Sequence, residues 1–239
     1  MEPDRAPKRF YKDVTVAEGG GGFAVALDGR QMRTPGEAAL VVPGAALAEA
    51  IAGEWRRQGE RIDPDDMPFT RLASTAIDRI VVAREEAVRQ LMRFGETDLL
   101  CYRVSAPEEL ARRQHEAWQP LLDWAAETLG ARLEVTHGLI PIPQPGPALG
   151  ALEVALSGYG AMALAGLGLA VPASGSLVIG FALAEGRIEA DAACRFAELE
   201  ESYQNERWGE DEETLETRRR VRADIHAAAG FLALSREHG

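Results

Sequence analysis

The sequence predicts an α+β protein: a small, antiparallel β-rich domain over residues 1–80, then a larger, mostly α-helical domain over residues 81–239. Two observations predict it. Up to Val42, apolar residues tend to alternate between glycine-rich turns, whereas from Ala46 they recur at spacings of three and four. From Pro107 onward helical patterns dominate. A chain of 239 residues is long enough for one large core or two smaller ones.

Arg9 to Glu18 carries Phe10, Tyr11, Val14 and Val16 in partial alternation, and Phe23 to Leu27 alternates again. The glycines Gly19 to Gly22 between them read as a hairpin loop. A phosphate-cradling loop would need a helix directly behind it, usually with Lys-Ser or Lys-Thr, and none is present there. Asp28-Gly29 is a type I′ turn signal that leads to a third strand, Gln31 to Thr34, and Ala39 to Val42 makes a fourth. The first helix runs from Ala46 to Gln58, and Gly59, Pro64 and Pro68 break the stretch behind it. Thr70 to Asp78, Arg84 to Phe94 and Glu108 to Leu129 are helical, the last with Gly130 as its C-cap. After a short extended piece, Leu133 to Thr136, the alternate prolines Pro141 to Pro147 form a polyproline connector. Helices return over Ala148–Leu156, Gly160–Ala170, Ser176–Ala184, Glu189–Trp208 and Asp211–Arg236.

Charge and composition narrow the function. With 38 acidic against 26 basic residues the formal charge is -12, which disfavours binding to nucleic acid or anionic lipid and suits a basic protein partner. Cys101 and Cys194 lie far apart, and His115, His137, His226 and His238 are scattered. Neither a disulfide framework nor a metal site is expected, and the cysteines read as reduced core residues. The start of the chain lacks an apolar leader and carries two early acids, which argues against a secretory signal and a mitochondrial transit peptide. Val154 to Ala184 is uncharged but broken by glycines and Pro172. Two short buried helices joined at Pro172 fit it better than membrane insertion.

No histidine stands in a catalytic signature, and Asp63, Asp65 and Asp66 lack the glycine and terminal Glu of a calcium loop. The informative segment is Phe196 to Gly209. Phe196, Leu199 and Tyr203 share an apolar stripe with Ala192, and Glu200, Gln204 and Trp208 recur every four residues on an adjacent one. A carboxylate, an amide and an indole in line are ingredients of a protein-binding face. They are equally what a core tryptophan beside a locally paired acid would look like. Glu54-Trp55-x-x-Gln58 has a similar make-up, there with Trp55 packing on the β unit as the structural reading. Asp98 is placed to pair with Arg103, and Asp78 with Arg79.

Several short motifs occur in order along the chain: Phe10-Tyr11-Lys12, Leu27-Asp28-Gly29-Arg30, Thr34-Pro35, Glu54-Trp55-x-x-Gln58, Met67-Pro68-x-Thr70 and Thr75-Ala76-Ile77-Asp78. Thr97-Asp98-Leu99-Leu100-x-Tyr102-Arg103, Trp118-x-Pro120, Gly175-Ser176 and Leu199-Glu200-Glu201-x-Tyr203-Gln204-x-x-x-Trp208-Gly209 complete the series. In content and order this series resembles the assembly chaperones that hold the alpha subunit of the ATP synthase F(1) sector. The resemblance implies a barrel-like β-rich N-terminal domain, a helical C-terminal domain, no catalysis and no cofactor. It implies binding of the unassembled alpha subunit until the beta subunit replaces the chaperone. It places the functionally sensitive acid at Glu200, with Glu201 as the neighbouring alternative. Gln204, Trp208 and Trp55 are the further candidate contacts. Mitochondrial matrix is the site of eukaryotic members; this chain reads as a bacterial, cytoplasmic, monomeric version. The alternative is a hydrolase or transferase with acids in a cleft between the two domains, which requires two carboxylates converging on one pocket.

Overall fold

The computed structural model describes residues 7–138, 140–209 and 212–236. Its first hairpin is closed by local turn chemistry. Strands β1 (Val14–Gly19) and β2 (Gly22–Leu27) pair antiparallel, with Gly20 and Gly21 at positive φ between them. Asp28 and Gly29 also take positive φ, as a type I′ turn requires, and lead to β3 (Arg30–Gln31). Both β3 and β4 (Val41–Val42) pair with β2, near its two ends. Helix α1 (Ala45–Arg57) buries Leu47, Ala48, Ile51 and Ala52 and packs on β1, β2 and β4. Helix α2 (Pro68–Thr75) comes next with proline in its first turn, then a wider turn over Ala76–Ile80. Asp78 does not pair with Arg79 as its sequence position suggested. Its carboxylate accepts from Thr34 Oγ1 at 2.6 Å and from the Gly36 N–H at 2.8 Å, pinning the Thr34-Pro35-Gly36 loop.

The remaining elements are helical apart from a two-strand parallel pair. They are α3 (Arg84–Glu96), β5 (Tyr102–Arg103), α4 (Glu108–Trp124), β6 (Thr136–His137) and α5 (Gly146–Gly158). Then come α6 (Ala161–Ser174), α7 (Leu177–Ala184), α8 (Ala190–Ala197), α9 (Leu199–Trp208) and α10 (Glu212–Arg236). Contacts divide the chain into two compact units. One holds the residues up to Arg84 with Ala161–Ala165 and the chain from Gly230; the other holds Glu85–Gly160 and Gly166–Ala229. The division is therefore not a single cut, because α6 and α10 each contribute to both units.

The core of the second unit is built around α7, every residue of which is buried, as expected for a helix apolar on all sides. Gly180 lets α7 approach α6: a Cβ there would stand 2.4 Å from Val171 Cγ2. Pro172 does not end α6, which continues to Ser174; the joint is Gly175, at φ 70°, with Ser176 behind it as the N-cap of α7. Among the described residues no helix is long and apolar enough to cross a membrane. The predicted single helix over Glu189–Trp208 is two. Glu198 leaves helical geometry between α8 and α9, and its carboxylate is held by Arg218 and Arg222 of α10, 20 and 24 residues downstream. Cys101 and Cys194 are buried and free. The first residues, up to Ala6, on which the expectation about a leader falls, lie outside the described residues, as do Asp211 and His238.

Candidate functional site

In the first unit the motifs close on one another. Glu54, 2% exposed, accepts hydrogen bonds from the N–H groups of Phe69 and Thr70 and from Thr70 Oγ1, at 2.7 to 2.8 Å, and so caps the start of α2. Burial raises its pKa, with those donors opposing the rise. Trp55 donates its indole N–H to Thr70 Oγ1, its carbonyl accepts from Tyr11 Oη, and its ring stands edge-on to Tyr11. Gln58 accepts from the Asp63 N–H and donates to Glu54 O. Phe10 and Trp55 together line a groove of about 620 Å³ with Asp28 and Arg30.

In the second unit the motifs form a frame behind α9. Asp98 is fully buried and does not pair with Arg103; it accepts from the Leu100 and Val178 N–H groups, clasping the start of α7. Burial pushes its pKa up to about 6, against the opposing donors. Arg103 turns inward instead, donating to Leu100 O and Gln114 O and lying 5.1 Å over the Trp118 ring. Its Nη2 is buried without a hydrogen-bond partner. Trp118, fully buried, donates to Phe196 O and ties α4 to the end of α8.

Helix α9 lies on α4 along this frame. Tyr203 points inward and is buried, with Arg207 3.6 Å and Arg113 5.3 Å from its ring centroid. Those two arginines interlock with Glu109 and Glu206 across the two helices. Hydrogen bonds from Arg113 and then Arg207 hold the Glu109 carboxyl below its usual value. Three acids of one short stretch meet three environments. Burial alone would raise Glu198, but Arg222 and Arg218 outweigh it and hold the carboxyl down. Glu200 is partly buried and accepts a short hydrogen bond from Gln114 Nε2. Glu201 is partly buried with no side-chain hydrogen bond among the described residues.

Of the residues singled out from sequence, α9 carries Glu200, Glu201, Gln204 and Trp208 together, and Trp55 belongs to the first unit. Trp208 is 77% exposed and Gln204 is exposed, so the stripe beginning at Glu200 ends in an uncovered indole. Sequence reasoning missed Gln114, fully buried on α4, and Arg113. Gln114 has no local signal, and Arg113 shows only the Glu109 spacing on its own helix, since each finds its acid on α9 about 90 residues later. Beside Glu200 opens a cleft of about 670 Å³, lined also by Tyr102, Arg103, Ser105, His137 and Gly138. It holds one carboxylate, as does the groove at Phe10, so neither has the paired acids of a hydrolase.

A family model described as the ATP12 chaperone protein matches residues 8–126. A mitochondrial atp12 protein of Schizosaccharomyces pombe is 30% identical over 228 residues, spanning 90% of this chain and 78% of its own length. The crystal structure of Atp12 from Paracoccus denitrificans is similar with a TM-score of 0.91 at 41% identity, covering 96% of this chain and 99% of that one. An Agrobacterium tumefaciens protein designated a chaperone candidate has a TM-score of 0.90 at 44% identity, over 95% of this chain and 86% of its own. Similarity of that extent, over nine-tenths or more of the chain, means that the chain belongs to the ATP12 family, the ATP synthase F(1) assembly chaperones that its sequence resembles.

Proposed function

We propose that the protein binds the unassembled alpha subunit of ATP synthase F(1) through the face of α9, shielding its subunit-interface surface until the beta subunit takes that place. One observation carries this reading: Trp208 stands 77% exposed at the end of a stripe whose other end, Glu200, is anchored to the frame. Large exposed aromatics are costly to leave in water and are frequent anchors of protein interfaces. Glu200, Glu201, Gln204 and Trp208 form the contact, with Trp55 as a second contact beside Phe10.

The protein acts as a monomer in the bacterial cytoplasm and without catalysis of its own. In support, its carboxyl with a pKa raised to about 6, Asp98, is fully buried and bonded to the backbone, out of reach of a substrate. Binding the free subunit and not the assembled complex lowers the concentration of an aggregation-prone surface by mass action. A surface that must later yield to beta suits a total interface of about 1,200 to 2,000 Å².

Co-purification with separately expressed alpha and beta subunits tests the reading. Retention of alpha alone is the expected result, and indifference to both subunits overturns it. Glu200→Lys, checked for an unchanged helical circular-dichroism signal, is expected to stop suppressing alpha aggregation in light scattering. If it protects alpha as well as the parent does, the assignment to α9 is wrong.

A further inference from the structure

We infer that the cleft beside α9 is a socket for one guanidinium side chain of the bound polypeptide, with Glu200 as its counter-ion and Gln114 as the positioning residue; this rests on reading α9 as the client-binding face. Glu200 carries the argument. It is partly buried, yet among the described residues no basic group lies within ion-pair distance of it. Three acids around it are answered by arginines of the chain, Glu198 by Arg218 and Arg222, Glu109 by Arg113 and Arg207, Glu206 by Arg113, while Glu201 makes no side-chain hydrogen bond among the described residues. Glu200 alone of these is answered by a neutral amide. A carboxylate drawn partly out of water with one neutral donor is short of compensation, and a cation from a partner supplies it.

The carboxylate is also fixed in place. Gln114 is fully buried; its Oε1 accepts from the Val104 N–H at 2.9 Å, which holds the side-chain amide that meets Glu200, and its backbone carbonyl accepts from Arg103 Nη1 at 2.6 Å. The basic groups that line the cleft do not fill the role. Arg103 is turned to carbonyls and to Trp118, and His137 makes no ion pair with Glu200. The cleft of about 670 Å³ counts Tyr102 among its lining residues, and an aromatic residue beside a carboxylate suits a guanidinium, which can both stack and pair through its fork, better than an ammonium.

The test is a nuclear magnetic resonance titration of the intact chain with N-acetyl-arginine amide, and with N-acetyl-citrulline amide as the uncharged isostere. Saturable shifts are expected at the Gln114 side-chain amide and at the backbone amides of Val104 and Gly138 with the arginine probe, and not with citrulline. Glu200→Gln keeps an acceptor for Gln114 and so keeps the frame, but is expected to weaken the arginine probe by about tenfold or more. Equal shifts with both probes, no saturation at the solubility limit, or unchanged affinity in Glu200→Gln overturns the socket. The two readings fail separately. If alpha is retained but the arginine probe does not bind, the socket is wrong and the client reading stands; if the probe binds but alpha is not retained, the client reading fails and the socket stands.

Discussion

Glu54 and Trp55 near the end of α1 with Gln58 as its C-cap, and Glu200, Gln204 and Trp208 on α9, are the same three residue types, yet they end in opposite states. On α1 each group is answered from within the chain: Glu54 by three donors, Trp55 by Thr70 and Tyr11, Gln58 by Asp63 and Glu54. On α9 only Glu200 is, by one amide, while Gln204 and Trp208 face outward. A carboxylate, an amide and an indole do not by themselves say hub or interface. What decides is whether other segments bring donors to them, and the proposed client-binding face is the set that was left unanswered.

The largest expected effect is at the closed set. Glu54→Ala strands the Phe69 and Thr70 donors at the half-buried start of α2, and is expected to cost about 3 to 5 kcal/mol in urea unfolding. Glu200→Ala removes one partner of a less buried pair and is expected to cost about 1 kcal/mol. Equal costs would break the contrast between the two regions.

Next is a dependence on pH set by Asp98, the buried acid of the frame behind α9. Its folded pKa is raised from 3.8 to about 6, so the fold binds this proton more tightly than the unfolded chain does. The stabilisation is therefore fully present below about pH 4 and is lost as pH rises through about 6, about 3 kcal/mol in all. Other carboxylates, Glu198 among them, act in the opposite direction, because a lowered pKa gives stability that is lost as pH falls. The measurement is thus a difference: urea midpoints of parent and Asp98→Asn from about pH 4 to about pH 7. Parallel curves would show that Asp98 is not the group responsible.

What was legible in the sequence was what local chemistry decides. The glycines between β1 and β2, the Asp28-Gly29 turn and the Gly130 cap all read correctly, because a positive φ has few other solutions. The stripe on α9 was legible for the same reason, being a matter of spacing along one helix. What was not legible depended on distant partners. The break at Glu198 is paired with arginines on α10, Asp98 finds α7 rather than Arg103, and Asp78 reaches back to Thr34 and Gly36. Pro172 misled because α6 runs on through it and ends at Gly175, where the positive φ turns the chain. Gln114, which holds Glu200, gave no signal at all.

A mid-sized effect probes the tight crossing in the core of the second unit. A methyl group at residue 180 would meet Val171 Cγ2 at 2.4 Å, so Gly180→Ala is expected to cost about 1 to 3 kcal/mol through displacement of α7 against α6. Because Asp98 and Gly175 join this helix pair to the wall of the cleft, the same variant is expected to weaken alpha retention in proportion to its stability loss. Retention that falls with no change in the urea midpoint would place the coupling elsewhere.

The smallest effect on the fold belongs to Trp208, and it sharpens the comparison most. Its side chain is 77% exposed and makes no hydrogen bond or ring contact among the described residues, so Trp208→Ala is expected to shift folding stability by no more than about 0.5 kcal/mol. Truncating an interface tryptophan, in contrast, commonly removes about 2 kcal/mol or more of binding free energy. The expected outcome is an unchanged urea midpoint together with a loss of alpha retention of roughly thirtyfold. Trp55→Ala differs from that pattern, since its ring packs on Tyr11 and its N–H is bonded to Thr70: folding stability falls together with retention. Should Trp208→Ala unfold the protein, or leave alpha bound as tightly as before, the indole at the end of α9 is not the anchor, and the two sets of residues differ less than their surroundings indicate.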